Sequence, residues 1–388
     1  MKKILFIITL FISSTLFSQW NVISSGTTAD LDGIAFTDAN NGVCGGGLGA
    51  PNLVTSDGGA TWTSSSTIGY RDYSFVDANT GYAAGIVGNS MAVTTDGGST
   101  WTAITPPTSN SLWGVSATTT SAAYWCGTGG VYWYTPNGGT NVFEGNSGTT
   151  NLLTDIFFTN TSTGFLLVQN GEIRKSTSGG ASWTAVYNTS GVLFTEMHFV
   201  DENTGYAVGS NGTVVKTTDA GSNWTVLSTG STGYFQGVHF YDANTGIVVG
   251  LNGEILCTTD GGASWGVQNS GTTELLADVR MLSPTSAIVV GDNGTILRNT
   301  NISCVTAGLV ENNIELTLFP NPASDYVEIN SNQPIQSVIV YDTQGSVIDS
   351  FQNLNSTKEL IDISLYASGV YHVELKINDQ RFTRKLIK

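Results

Sequence analysis

Three residues at one repeated spacing open the chemical reading. His198, His239 and Arg280 follow one another at intervals of 41 residues. Glu196 and Asp278 stand two positions before His198 and Arg280, and residues two apart on a strand share one face. Such a stripe could bind a small anion or a cation. The preferred alternative is a satisfied polar network between packed strands. Two histidines are too few for a transition-metal centre, so no metal, cofactor or catalytic residue is assigned. A second set consists of Asp57, Asp96, Asp219 and Asp260, each in a Gly-rich segment five residues before Trp62, Trp101, Trp224 or Trp265. A short carboxylate there accepts backbone N–H groups of its own turn, so a structural role is expected for the aspartates and for the tryptophans. A third set is aromatic: Trp113, Tyr124, Trp125, Tyr132, Trp133 and Tyr134, with Tyr70 and Arg71 as neighbours. Aromatics on an exposed platform suit sugar rings or apolar partner surfaces. A repacked interior, compensating for Val142 where a tryptophan belongs, is the competing reading and the favoured one for the cluster as a whole. The binding candidates drawn from this set are Arg71, Trp113, Tyr70 and Trp133.

These residues ride on a repeat of about 41 positions. Phe199-Val200-Asp201-Glu202-Asn203-Thr204-Gly205-Tyr206 matches Phe240-Tyr241-Asp242-Ala243-Asn244-Thr245-Gly246-Ile247. Other copies begin at Phe36, Phe75, Phe158 and Met281, with a degenerate one around Val115 to Val142, which makes seven. Each copy predicts four strands: Thr195 to Val200, Tyr206 to Gly209, Thr213 to Thr218, and one opened by Trp224. Asn211-Gly212 marks a two-residue hairpin, because both residues tolerate positive φ. Four antiparallel strands repeated radially describe propeller blades. The last copy stops after Arg298 without a box, while Trp20-Asn21-Val22-Ile23-Ser24-Ser25-Gly26-Thr27 resembles Trp265-Gly266-Val267-Gln268-Asn269-Ser270-Gly271-Thr272. The first strand of the chain is therefore expected to complete the last blade and remove an open edge. The predicted fold is all-β: a seven-bladed β-propeller over 19–300, a linker over 301–316 and a small C-terminal β-sandwich over 317–388.

Composition narrows the setting. Residues 19–304 carry 6 Lys and Arg against 20 Asp and Glu, a net of −14. A body this acidic is repelled by phosphate backbones and anionic lipid, so no nucleic acid is expected as a partner. Lys2-Lys3, the apolar run Ile4 to Phe17 and the small Ser18 read as a signal peptide over 1–18, with no transmembrane segment in the mature chain. Cys44, Cys126, Cys257 and Cys304 lack the spacing of a zinc site and allow three disulfide pairings; buried free thiols remain equally open.

The boxes Ser56-Asp57-Gly58-Gly59-Ala60-Thr61-Trp62 and Thr259-Asp260-Gly261-Gly262-Ala263-Ser264-Trp265 resemble the Asp-box (BNR) motif of sialidases and related propellers. The full repeat is similar to the photosystem II assembly-factor propellers. Sialidase chemistry would need an arginine cluster, yet Arg71, Arg174, Arg280 and Arg298 are the only arginines of the ring. Asp-box xyloglucanases use two propellers, and this chain has length for one. The basic patches of the assembly factors are missing as well. In the tail, Leu318-Phe319-Pro320-Asn321-Pro322-Ala323, Gly369-Val370-Tyr371 and Lys385-Leu386-Ile387-Lys388 resemble the type A sorting domain of the type IX secretion system. That resemblance implies sorting roles for Pro320, Asn321, Pro322, Gly369, Tyr371, Lys385 and Lys388, with the outer-membrane translocon as partner and a secreted or surface-attached product. The expected function is a non-catalytic binding or adhesion module with an unknown glycan or protein ligand; a glycan-directed hydrolase is the alternative. One column varies while its neighbours stay apolar: Asp32, Arg71, Trp113, Thr154, Thr195, Gln236 and Ala277, a pattern expected of a site grafted on a scaffold.

Overall fold

The structure, a computed structural model, describes residues 20–47, 49–85, 91–107, 109–304, 316–377 and 380–388. The predicted signal peptide and most of the predicted linker lie outside the described residues. The chain divides into two compact units, Met1–Ala307 and Gly308–Lys388.

In the first unit the described residues form seven four-stranded antiparallel sheets. Their first strands are Gly33–Phe36, Asp72–Phe75, Leu112–Ala117, Leu153–Phe158, Phe194–Phe199, Phe235–Phe240 and Leu276–Ser283, and they number sheets one to seven here. Sheet five shows how local sequence builds each one. Asp201 Oδ1 accepts the amides of Asn203 and Thr204 at 2.7 Å each, which sets the tight turn. The glycine that follows is required by packing, since a Cβ on Gly205 would lie 2.4 Å from the Phe199 ring. Asn211 and Gly212 have φ of 61° and 65°, as the hairpin demands.

The core lies between sheets. Tyr124, Cys126 and Tyr132 of sheet three, for example, pack on Leu153, Ile156 and Phe158 of sheet four. Each box tryptophan stands edge-on to the first-strand phenylalanine of its own sheet, as Trp224 does to Phe199 at 5.9 Å. Consecutive first strands touch one another, and the strand of sheet seven touches that of sheet one, so the ring is closed.

Closure uses the chain start. Asn21–Val22 forms the fourth strand of sheet seven, pairing with Arg298 and Leu297, and the Ile23 amide donates to Ile296 O at 2.8 Å. Trp20 is buried against Leu276, Val289 and Leu297. Cys257, in sheet six, is disulfide-bonded to Cys304, which follows the last sheet, while Cys44 and Cys126 are buried free thiols.

The second unit is one five-stranded sheet. Its strand Tyr326–Tyr341 pairs with Val347–Asp362 on one side and with Leu316–Phe319 and Val370–Ile377 on the other. Val327, Ile329, Val338, Val340, Ile361 and Val373 share one core.

Candidate functional site

The innermost strand of a sheet leaves every second amide without a ladder partner. Here those amides face a central channel. At one level they belong to Ile34, Tyr73, Val115, Ile156, Met197, Val238 and Val279, one from each sheet. The residues just before these amides form one aligned column, Gly33, Asp72, Gly114, Asp155, Glu196, Gly237 and Asp278, and its four carboxylates satisfy all seven. Asp72 accepts from Tyr73 and Val115, each at 2.7 Å. Asp155 accepts from Ile156 at 2.7 Å and Met197 at 2.8 Å. Asp278 accepts from Val279 at 2.6 Å and, across the closure, from Ile34 at 2.8 Å. Each aspartate thus serves its own sheet and the next, which needs no acid of its own. Glycine fits where the next strand comes close: a Cβ on Gly33 would lie 2.1 Å from Arg71 O, and one on Gly237 2.8 Å from Asp278 Cα. Seven is odd, so one amide is left over, and Glu196 serves that of Val238.

Burial dominates the chemistry of these acids. It pushes Asp72, Asp155 and Asp278 up to about 7, helped by repulsion among them and opposed by the amides. Glu196 is pushed well above the usual carboxylate range by burial and then by Asp278.

A second level repeats the device with other acceptors. Ser74 Oγ accepts the Ala117 amide at 3.0 Å and Ser116 Oγ that of Phe158 at 2.9 Å. His198 Nδ1 accepts the Phe240 amide at 3.3 Å, and His239 Nδ1 that of Met281 at 3.4 Å. Both rings are held neutral, His198 lowered to about 3 and His239 well below its ordinary value, by burial and then by Arg280. The stripe read from the sequence is therefore an inter-sheet network. Four carboxylates, Asp72, Asp155, Glu196 and Asp278, converge on this one channel. Aligning the seven copies at Gly33 would have revealed the column.

The variable column surrounds the channel. Asp32, Arg71, Trp113, Thr154, Thr195, Gln236 and Ala277 all line one cavity of about 610 Å3. Arg71 stacks its guanidinium over the Trp113 ring at 4.2 Å and lies 3.6 Å from Asp32. The structure thus brings two of the four binding candidates together, both partly exposed. The other two are corrected. Tyr70 is buried against Tyr73 and Trp101, and Trp133 is fully buried with Tyr82 and Trp125. The aromatic cluster of sheet three is mostly interior packing: Tyr124 stacks on Phe158 at 3.9 Å, and Trp125 Nε1 donates to Ala83 O at 3.0 Å.

The Asp boxes are turns. Asp57 accepts from the Thr61 amide at 2.9 Å and the hydroxyls of Thr61 and Thr55 at 2.6 and 2.8 Å; these bonds lower it to about 2. Asp96, Asp219 and Asp260 repeat the pattern with Thr100, Asn223 and Ser264. Charge is dispensable there, because Asn137 accepts from Asn141 at 2.9 Å and Ser178 from Ser182 at 3.1 Å in the same geometry. No box residue lines the channel cavity.

In the tail the motif residues hold one another. Asn321 donates to Lys385 O at 2.7 Å and accepts from the Ile387 amide at 2.9 Å. Gly369 and Lys388 exchange backbone bonds of 3.0 and 2.9 Å, the Lys388 ammonium donates to Ile363 O and Ser364 O, and Tyr371 donates to Ala367 O. Pro320 and Pro322 flank Asn321 in the same corner.

Residues 317–388 match the family described as secretion system C-terminal sorting domain. Residues 144–226 and 176–331 match the family described as photosynthesis system II assembly factor YCF48. No curated protein matches the chain. Among solved structures, "YCF48 bound to D1 peptide" is 21% identical, with a TM-score of 0.62 over 74% of this chain and 96% of that one. YCF48 from Cyanidioschyzon merolae is 18% identical, with a TM-score of 0.60 over 72% and 98%. The GH74 xyloglucanase of Xanthomonas campestris is 13% identical, with a TM-score of 0.60 over 81% of this chain and 60% of that one. At these identities the likeness is one of fold, and the fold is a propeller. Among the described residues no helix is long and apolar enough to cross a membrane. The sorting domain indicates secretion to the cell surface or extracellular space.

Proposed function

We infer that this chain, whose repeats match the photosystem II assembly-factor family and whose tail matches a secretion sorting domain, is a seven-bladed propeller over 19–300 working outside the cell as a non-catalytic binding or adhesion module. The tail over 317–388 is its sorting domain, read by the type IX translocon. One observation carries the non-catalytic reading: each channel aspartate has both oxygens held by backbone amides, and Glu196 serves the remaining one. A glycosidase acid must give and take a proton at the substrate, with its partner carboxylate free to attack or to activate water. Carboxylates that hold a ring of sheets together are not free for that. The hydrolase reading keeps one support, the likeness of fold to GH74 enzymes.

The channel mouth at Arg71, Trp113 and Asp32 is the proposed contact site. A guanidinium stacked on an indole offers a flat face with donors at its rim, suited to a sugar or to a peptide carbonyl. A propeller of similar fold is known with a peptide bound, which supports a protein ligand as readily as a glycan. The test is a glycan array and a surface-protein pull-down with the mature chain, followed by affinity measurement for Arg71→Ala and Trp113→Ala. Loss in both variants, with turnover of fluorogenic glycosides absent, is the expected result. Turnover that one channel-carboxylate substitution abolishes would replace this reading with the hydrolase.

A further inference from the structure

The second level of the channel is incomplete, and the gap has one chemical sign. In sheets five and six, His198 and His239 use Nδ1 to accept an amide of the next sheet. An accepting Nδ1 carries no proton, so in a neutral ring the proton sits on Nε2, a donor. In sheet seven the same position holds Arg280, which has donors alone. It cannot serve the Phe36 amide of sheet one, Ala35 cannot serve the Phe75 amide of sheet two, and Phe157 cannot serve the Phe199 amide of sheet five. The four remaining equivalent amides donate across the channel to Ser74, Ser116, His198 and His239. Among the described residues, no hydrogen-bond acceptor meets either imidazole Nε2, the Arg280 guanidinium, or the amides of Phe36 and Phe75. No carboxylate lies within 4.0 Å of Arg280 either.

We propose that His198, His239 and Arg280, with the edge amides of Phe36 and Phe75, form a binding site in the channel for an oxyanion: a carboxylate, phosphate or sulfate group. Five donor groups of three kinds line the same cavity from consecutive sheets five, six, seven, one and two, and none has an acceptor. The Arg280 guanidinium is partly buried and faces the cavity, with Asp278 and Glu196 acting on it only from beyond contact distance, so an anion at that level meets a cation with free donors. The imidazole rings lie 4.2 Å apart, centre to centre, and His239 is 6% exposed, so the donors are held in place before any ligand arrives. All three side chains line the same cavity as the mouth. A plain counter-ion role for Arg280 toward Asp278 and Glu196 would bring it into ion-pair contact, and it makes none. Those carboxylates belong to the level above, where backbone amides engage them. The site uses none of the residues of the mouth proposed above and would survive if Arg71 and Trp113 bound nothing.

The test is nuclear magnetic resonance of the mature chain labelled at histidine. Residue 372 is the only histidine besides the channel pair, and it serves as an internal reference in the tail. Inorganic phosphate, inorganic sulfate and acetate are titrated separately against chloride, with spermidine as the cationic counterpart. The expected result is movement of the His198 and His239 signals, with His372 still, for at least one oxyanion. Response to phosphate or sulfate alone assigns a free inorganic ion. Response to acetate assigns the carboxylate of a larger ligand. Arg280→Gln should weaken the response about tenfold or more, as for loss of one partner of a buried charge contact. Arg280→Lys should keep part of it and carries the comparison should the glutamine variant fail to fold. Still signals with every anion, a response to spermidine alone, or unchanged affinity in both variants would overturn the proposal.

Discussion

Replacing Asp155 by alanine tests whether the channel acids are structural. The side chain is 8% exposed, and its two oxygens take the amides of Ile156 and Met197 at 2.7 and 2.8 Å. Alanine leaves both amides buried without an acceptor, at a cost of about 1–3 kcal/mol each. Removing a carboxylate that burial already disfavours gives part of this back. A net loss of about 2–4 kcal/mol is expected, which is large against the total stability of an ordinary domain. The assay is urea unfolding of the mature protein followed by tryptophan fluorescence, with two companions. Asp155→Asn keeps one accepting oxygen but turns an NH2 toward the other amide, so it should fall between wild type and alanine. Asp57→Ala, in an exposed turn whose geometry the uncharged Asn137 and Ser178 also adopt, should cost clearly less than Asp155→Ala. Unchanged or increased stability in Asp155→Ala would refute the reasoning, since strained functional acids behave that way when removed.

The remaining expectations concern closure, pH, redox state and sorting. Deleting residues 20–26 removes buried Trp20 and the strand paired with Leu297 and Arg298, so the melting temperature should drop sharply; an unchanged melt would sink the closure argument. The three channel aspartates are held up to about 7, so the folded chain keeps protons that the unfolded chain releases above about pH 4. Stability should therefore fall as pH rises through that window, and melts that improve from about pH 5 to pH 8 would contradict it. Cys304→Ser opens a loop spanning 47 residues and should cost up to about 4 kcal/mol under non-reducing conditions, with no effect once wild type is reduced. Without residues 317–388 the ring should fold yet stay in the periplasm; its appearance outside the cell would remove the sorting role.

The sequence by itself determined whatever is local or periodic. Asp201 with the amides two and three residues on, Asn211-Gly212 at positive φ, and the Gly205 that clears Phe199 are contacts within one repeat, legible wherever the repeat is read. The match of Trp20-Asn21-Val22 to the box strand also revealed how the ends meet, because the missing piece had a recognisable sequence. Tertiary structure decided the rest. Tyr70 and Trp133 read as platform aromatics, but strands inside the ring are covered on both faces, so alternation along the strand does not tell an outward ring from a buried one. The pairing of Cys257 with Cys304 depends on where the chain goes after its last sheet, which no spacing encodes. Asp72 and Asp155 do not stand out in the sequence, since their partners, Val115 and Met197, lie about 42 residues away in the next sheet. Only when seven sheets close do their inner-edge amides become a ring that must be satisfied from neighbours. That requirement puts acid and glycine in alternation, leaves Glu196 as the odd member, and leaves Arg280 facing the channel without an ion-pair partner.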